Sequence, residues 1–253
     1  MSTVVTPEVD PGASLPRPKK RGRPSGSAIL LIVVVVLLGA SLVLPWWSET
    51  QLAPGPDGVR STQNYAPLTG VTGSCSPACP AYESGPPFGP IQGTKSFSSI
   101  GLNRTATLYY SCVALVVVGL VAAAFAVVTL PNRAASPRRR IRASRWLLAV
   151  ALFASVGASA ALAGLQPVAF REDVAATFSS NASWTAAPSP ETSFWGSCAP
   201  GLTNGICSSG WSVSWGPALG WYLITIAAVV LLVIHLLRAR RARAPSVPSS
   251  AAN

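Results

Sequence analysis

The stretch AILLIVVVVLLGASLVLPWW at positions 28–47 decides the class of this protein. It carries no charge between Arg23 and Glu49, and a helix needs roughly 20 predominantly apolar residues to cross the hydrocarbon of a bilayer. The β-branched residues crowded into its first half would favour a strand in water. In lipid every backbone group must be satisfied internally, which leaves only helices and closed barrels. Three more runs of the same kind follow, at 107–130, 146–165 and 217–237, the second closed by Pro131 and the third by Gln166-Pro167. Four long runs cannot close a barrel. The pattern therefore predicts an all-α membrane protein, a four-transmembrane-helix bundle. Two long disulfide-containing extracytoplasmic loops join its helices, with short β-structure in the loops.

Composition agrees. The 253 residues are 49% hydrophobic but only 11% charged, against about 25% charged in an ordinary soluble domain. The mean hydropathy is +0.42. So little charge leaves too little polar surface to cover a soluble globule, and the apolar content excludes general disorder. The 23 prolines and 21 glycines assign the remainder to loops.

The net charge of +11 records orientation, because Lys and Arg accumulate on the cytoplasmic side of spans. Arg17, Lys19, Lys20, Arg21 and Arg23 precede the first span. Arg133, Arg138, Arg139, Arg140, Arg142 and Arg145 lie between the second and third, and Arg238, Arg240, Arg241 and Arg243 follow the fourth. These are 15 of the 19 basic residues; the two long loops hold only Arg60, Lys95, Arg104 and Arg171. The expected order is a basic, disordered cytoplasmic N-terminus (1–27), an outer loop at 48–106, a basic cytoplasmic loop at 131–145, a second outer loop at 166–216 and a basic cytoplasmic tail (238–253). Trp46, Trp47, Tyr109, Tyr110, Trp146, Trp221 and Tyr222 fall near span ends, as interfacial anchors do. Gly39-Ala40-Ser41 imitates a signal-peptidase site, but the apolar run continues to Trp47, so the first span reads as uncleaved.

Of five cysteines, Cys112 falls inside the second span and reads as a small buried apolar residue. Cys75, Cys79, Cys198 and Cys207 fall outside, where an even number of thiols reads as disulfides. Four cysteines allow three pairings. The local one, Cys75–Cys79 with Cys198–Cys207, is favoured because each loop then staples itself. Zinc is disfavoured, since the outer loops contain no histidine and the spacing matches no paired-CxxC site. Each loop also holds a similar string, Gly73-Ser74-Cys75-Ser76-Pro77 and Gly196-Ser197-Cys198-Ala199-Pro200. It either marks two parallel span–loop–span halves or is a coincidence of Gly/Ser/Pro-rich loops.

Asn103 and Asn181 head N-glycosylation sequons on the outer side. Five of the eight tryptophans, Trp184, Trp195, Trp211, Trp215 and Trp221, gather between the second loop and the fourth span. The alternation from Trp211 to Trp215 suits a short strand with Trp, Val and Trp on one face.

No span contains Asp, Glu, Lys or Arg, and an ion-coupled carrier would normally hold such a group at depth. His235, the one histidine, lies near the cytoplasmic end. Helix packing is better marked. Ser155, Ser159 and Ala163 recur every four residues, as do Gly157 and Ala161, with Gly164 a heptad from Gly157; Gly119 and Ala123 repeat the spacing in the second span. Small-xxx-small spacing lets helix backbones approach, within one bundle or between copies. No catalytic residue, cofactor site or metal site is assigned. The string Pro18-Lys19-Lys20-Arg21-Gly22-Arg23-Pro24 is similar to an AT-hook, but its place just before a span reads as a lipid-facing basic cluster, so no nucleic acid is expected.

Four spans, cytoplasmic termini, two outer loops and Trp46-Trp47 after the first span resemble the claudin-like tetraspan group in layout, a likeness that implies architecture rather than junctional activity. Four spans with a cysteine pair in each outer loop also look similar to bacterial disulfide-forming membrane enzymes that reduce quinone. Their first pair is a CxxC beside the second span; here it is Cys-x-x-x-Cys, with Cys79 well before Thr107. The expectation is a non-enzymatic, multi-pass cell-membrane glycoprotein of structural or interaction type. Its partners would be the bilayer and either further copies or another membrane protein. A quinone-linked thiol-disulfide oxidoreductase is the alternative.

Overall fold

The computed structural model describes residues 26–53, 58–76, 91–129, 137–177, 192–199 and 212–243. The basic N-terminal segment, the tail beyond 243, and Cys79, Asn181, Trp184, Cys207 and Trp211 lie outside the described residues. Among the described residues the chain is mostly helical, with four α-helices and one sheet. The helices are α1 (Gly26–Ser41), α2 (Asn103–Thr129), α3 (Pro137–Thr177) and α4 (Leu219–Arg243). The strands are β1 (Trp47–Leu52), β2 (Arg60–Ala66), β3 (Gly70–Ser76), β4 (Gly93–Lys95), β5 (Gly196–Cys198) and β6 (Ser212–Pro217).

Among the described residues, α2, α3 and α4 are long and apolar enough to cross a membrane, whereas α1, at 16 residues, is shorter than that. The run expected to be helical to Trp47 stops at Ser41, and the reason is local. Pro45 disfavours helical backbone at Leu44, the chain turns through Leu42 and Val43, and the Trp46 indole Nε1 donates to the terminal Ser41 carbonyl at 2.7 Å. Trp47 then opens β1. Neither Trp46 nor Trp47 is an interfacial anchor, since both are 1% exposed. Trp46 stacks on Tyr109 at 5.5 Å, and Trp47 meets Tyr65 and Phe170 at 4.8 and 5.9 Å. Tyr110, Trp146 and Tyr222 remain exposed, Trp146 well inside α3 rather than at its end.

The third helix departs most from expectation. Pro167 does not close it; α3 runs on to Thr177 with Pro167 inside. Its 41 residues span about 60 Å, twice the ~30 Å hydrocarbon thickness. The extra turns form a pillar beyond the bundle. On it Phe170 and Val174 are buried, and the Asp173 carboxylate accepts the Arg104 and Thr105 backbone N–H groups, both at 2.8 Å. A carboxylate there satisfies the open donors at the start of α2 and its positive dipole end. The helices pack as a ring in which α1 touches α2 and α4, and α3 touches α2 and α4.

Within the ring, small residues bring α2 and α3 together. Gly119 is so close to α3 that a Cβ would stand 3.3 Å from Ser155 Oγ, and Ala123 and Ser155 are fully buried. Gly157 faces Leu115 more loosely, while Gly164 has open space beside it. Ser159 turns to α4, its hydroxyl 2.8 Å from that of Thr225. Cys112 is free and buried, its thiol directed at the Ala158 carbonyl.

All six strands form one antiparallel sheet in the order β4-β3-β2-β1-β6-β5. The β-structure is thus far more extensive than short pieces within separate loops. β1, the first strand after α1, is the seam, pairing with β2 on one side and with β6 from the second connection on the other. Gly220 makes the last join. Its N–H donates to the Pro45 carbonyl at 2.8 Å, and a Cβ there would stand 2.6 Å from Trp46 Cδ1.

Candidate functional surface: the sheet at the end of the bundle

Alternation along the strands gives the sheet two different faces. The inner face rests on the pillar and on the segment before α2. It presents Trp47, Glu49 and Gln51 from β1, Ser61, Gln63 and Tyr65 from β2, and Val213 and Trp215 from β6, all buried. Phe170 reaches the rings of Trp47 and Tyr65. The Trp47 indole Nε1 donates to the Phe194 carbonyl at 2.8 Å, and that of Trp215 to the Ser193 carbonyl at 3.1 Å, which ties down the approach to β5.

A carboxylate stands in the middle of this inner face. Glu49 is 1% exposed, and its Oε1 accepts from Gln51 Nε2 at 2.7 Å. Among the described residues its Oε2 has no hydrogen-bond partner. Burial pushes the carboxyl up to about 7, the Gln51 hydrogen bond offsetting only part of the effect. Burial raises the neighbouring Tyr65 phenol as well. Glu49 is therefore largely neutral below neutral pH, when its carboxyl can donate as well as accept.

The opposite face is uncharged along its two central rows. One cross-strand row runs Ser197, Ser214, Thr50, Thr62 and Ser74, and the next runs Gly216, Ser48, Asn64, Thr72 and Thr94. Thr72 and Thr94 place their hydroxyls 3.1 Å apart. Five strands at ~4.8 Å spacing make this a ladder of hydroxyls about 19 Å across. Both edge strands have three residues, which limits edge-to-edge pairing.

The two Gly-Ser-Cys strings occupy matching places. Cys75, Ser61, Gln51, Val213 and Cys198 form one row across the sheet, and Gly73, Gln63, Glu49, Trp215 and Gly196 form the next. β3 and β5 thus run in the same direction and in register, four strands apart. Each pairs with the strand that precedes a long helix, β4 before α2 and β6 before α4. The glycine has a packing reason in both strings. A Cβ at Gly73 would collide with the Ile91 backbone, and one at Gly196 would stand 2.6 Å from the Trp215 ring.

Of the sequon residues, Asn103 is exposed at the first position of α2 while Thr105 is fully buried. The strand expected before α4 is β6, with Val213 and Trp215 inward; Trp195 is exposed. Among the described residues no three His, Cys, Asp or Glu side chains gather as metal ligands would. Sequence reasoning used Glu49 only as the charge bounding the first apolar run, although its position two residues after a Trp pair on a Trp-x-Glu-x-Gln alternation was the available signal. No protein-family model matches the chain, and no curated protein matches it in sequence.

Proposed function

We propose that this is a non-catalytic, four-span protein of the cell membrane whose sheet is an outward-facing surface for binding another membrane protein or a further copy. The observation that carries this reading is the sheet itself. Strands from both connections close over one buried face and leave an uncharged, hydroxyl-rich opposite face whose central residues are partly exposed. In the four-span topology α1 is the first span, lengthened by the turn at 42–45, and both termini are cytoplasmic, as the distribution of Lys and Arg favours. Glycosylation at Asn103 or Asn181 belongs to the same outward assignment.

The connections are stapled locally, Cys75 to Cys79 and Cys198 to Cys207. Four strand spacings put Cys75 and Cys198 about 19 Å apart, far beyond the ~7 Å that a disulfide bridges between Cα atoms. This supports a separate bridge at each edge of the sheet.

The test is photo-crosslinking in intact cells from Thr62, in the middle of the hydroxyl face, compared with Phe125, exposed on α2. Discrete protein adducts from Thr62 but not from Phe125 are expected. Absence of discrete Thr62 adducts, or reduction of quinone coupled to turnover of Cys75 and Cys79, would overturn the reading. Topology is checked separately, since labelling of a Ser136→Cys variant by an impermeant reagent from outside would reverse the orientation.

A further inference from the structure

A groove runs along the outside of the bundle where α3 and α4 meet. Its cavity of about 400 Å³ is lined by Leu152, Val156 and Ala163 of α3 and by Thr225, Ala228 and Leu232 of α4, and its walls are almost wholly apolar. The hydroxyls within it are already engaged. Thr225 donates to the Trp221 carbonyl at 3.0 Å, Ser159 and Thr225 stand 2.8 Å apart, and the Trp221 indole donates to the Ser159 carbonyl at 3.1 Å. From Leu152 to Ala163 the groove follows α3 for about 17 Å, close to the depth of one leaflet, half of the ~30 Å hydrocarbon.

At Ala163 this groove meets a second cavity, of about 430 Å³, with different chemistry. Arg171, Thr192 and Ser193 line it, with Gly164 and Pro167 along its helical wall. Pro167 has no N–H to offer the Ala163 carbonyl four residues earlier. The rim is held in place through the Ser193 and Phe194 carbonyls, which accept from Trp215 and Trp47. The adjacent Glu172 is paired with Arg104 at 3.1 Å rather than with Arg171.

An apolar slot one leaflet deep that opens into a cup with a guanidinium and two hydroxyls matches an anionic amphiphile. We propose that the joined cavities bind an anionic phospholipid of the leaflet on the sheet side, one acyl chain in the groove and the phosphate at Arg171. The site rests on α3 and α4 crossing the bilayer but not on the sheet having a protein partner.

The full chain is reconstituted in phosphatidylcholine vesicles containing a minor fraction of phosphatidylglycerol with a mid-chain diazirine, and labelled peptides are located by mass spectrometry. Labelling concentrated on the 152–163 and 225–232 segments, at least threefold above the exposed Phe125 and Val128 of α2, is expected. Arg171→Gln should lower the groove labelling at least threefold, and Ala160→Trp, which fills the groove, should abolish it. Arg60→Gln, the same loss of charge on β2, should leave it unchanged. Unfolding temperatures of the variants show that they fold, and if Ala160→Trp does not, Arg171→Gln against Arg60→Gln still decides. Even labelling of all exposed helix faces, insensitivity to Arg171→Gln, or equal groove labelling by diazirine phosphatidylcholine or by a diazirine fatty acid would overturn the proposal. If the phosphatidylcholine form fails to label Phe125–Val128, the spanning assignment fails instead.

Discussion

The bundle and the sheet solve opposite packing problems. Between α2 and α3 the closest approach is at Gly119, which faces Ala151, Ala154 and Ser155. Lipid tails are as apolar as a leucine core, so close backbone approach holds the helices together there. Under the sheet, by contrast, Glu49, Gln51, Ser61 and Gln63 are buried beside Trp47, Tyr65 and Trp215. Strand hydrogen bonds and large aromatic rings hold that face; Gln51 and Gln63 have side-chain partners there, whereas Glu49 Oε2 and Ser61 Oγ have none among the described residues. The bundle depends on having no side chain at one position, whereas the sheet keeps one acid that burial strains.

The sharpest break of this comparison comes from placing a side chain where the sheet has none. Gly73→Val should drive its side chain into the Ile91 backbone and cost upwards of about 3 kcal/mol, the upper end of overpacking penalties. Thermal unfolding in detergent would show it, together with loss of the β signal in circular dichroism.

Glu49 comes next. Its folded pKa is raised from 4.5 to about 7, so its neutral form is favoured in the folded protein. The contribution is harmless below pH 4.5 and becomes a penalty as pH rises toward 7. At about 1.4 kcal/mol per pKa unit the loss reaches about 3 kcal/mol above pH 7. Glu49→Gln should remove this slope, leaving the variant more stable than the parent in alkaline buffer and no more stable at pH 4. Denaturant midpoints across pH would measure it, and an unchanged slope would mean that Glu49 is hydrated.

On the bundle side, Gly119→Leu should push α2 from Ser155 and cost about 2 kcal/mol, read as a lower unfolding temperature with the sheet intact. Asp173→Asn should cost about 1 kcal/mol, since an amide offers one acceptor where the carboxylate now takes two N–H groups. Faster hydrogen exchange at Arg104 and Thr105 would locate the effect. Gly164→Ala, with open space around it, should stabilise α3 by under about 1 kcal/mol. A large loss there would show that the comparison between crowded and open glycines is wrong.

Legibility in the sequence followed the solvent. In lipid, hydropathy over about 20 residues suffices because the backbone has one option, and α2 and α4 lie close to the expected runs. Where the chain leaves lipid that argument loses force. Pro167 reads as a stop signal, yet pillar contacts through Phe170 and Asp173 carry α3 past it. Trp46 and Trp47 read as interfacial anchors, but contacts with Tyr109, Tyr65 and Phe170, all distant in sequence, bury them. The Gly-Ser-Cys repeat was visible as a string, while its registration across five strands was not.

By itself, then, the sequence determined where long apolar helices form and which connections are basic, because span length and charge are local properties summed along the chain. Only the tertiary structure decided that β1 and β6 join both connections into one sheet, that Glu49 faces inward, and that α3 and α4 leave an apolar groove that shares Ala163 with a cavity lined by Arg171. The β1–β6 pairing joins residues such as Trp47 and Pro217, and the groove depends on contacts such as that of Ser159 with Thr225, 66 positions apart, and no local period records such meetings.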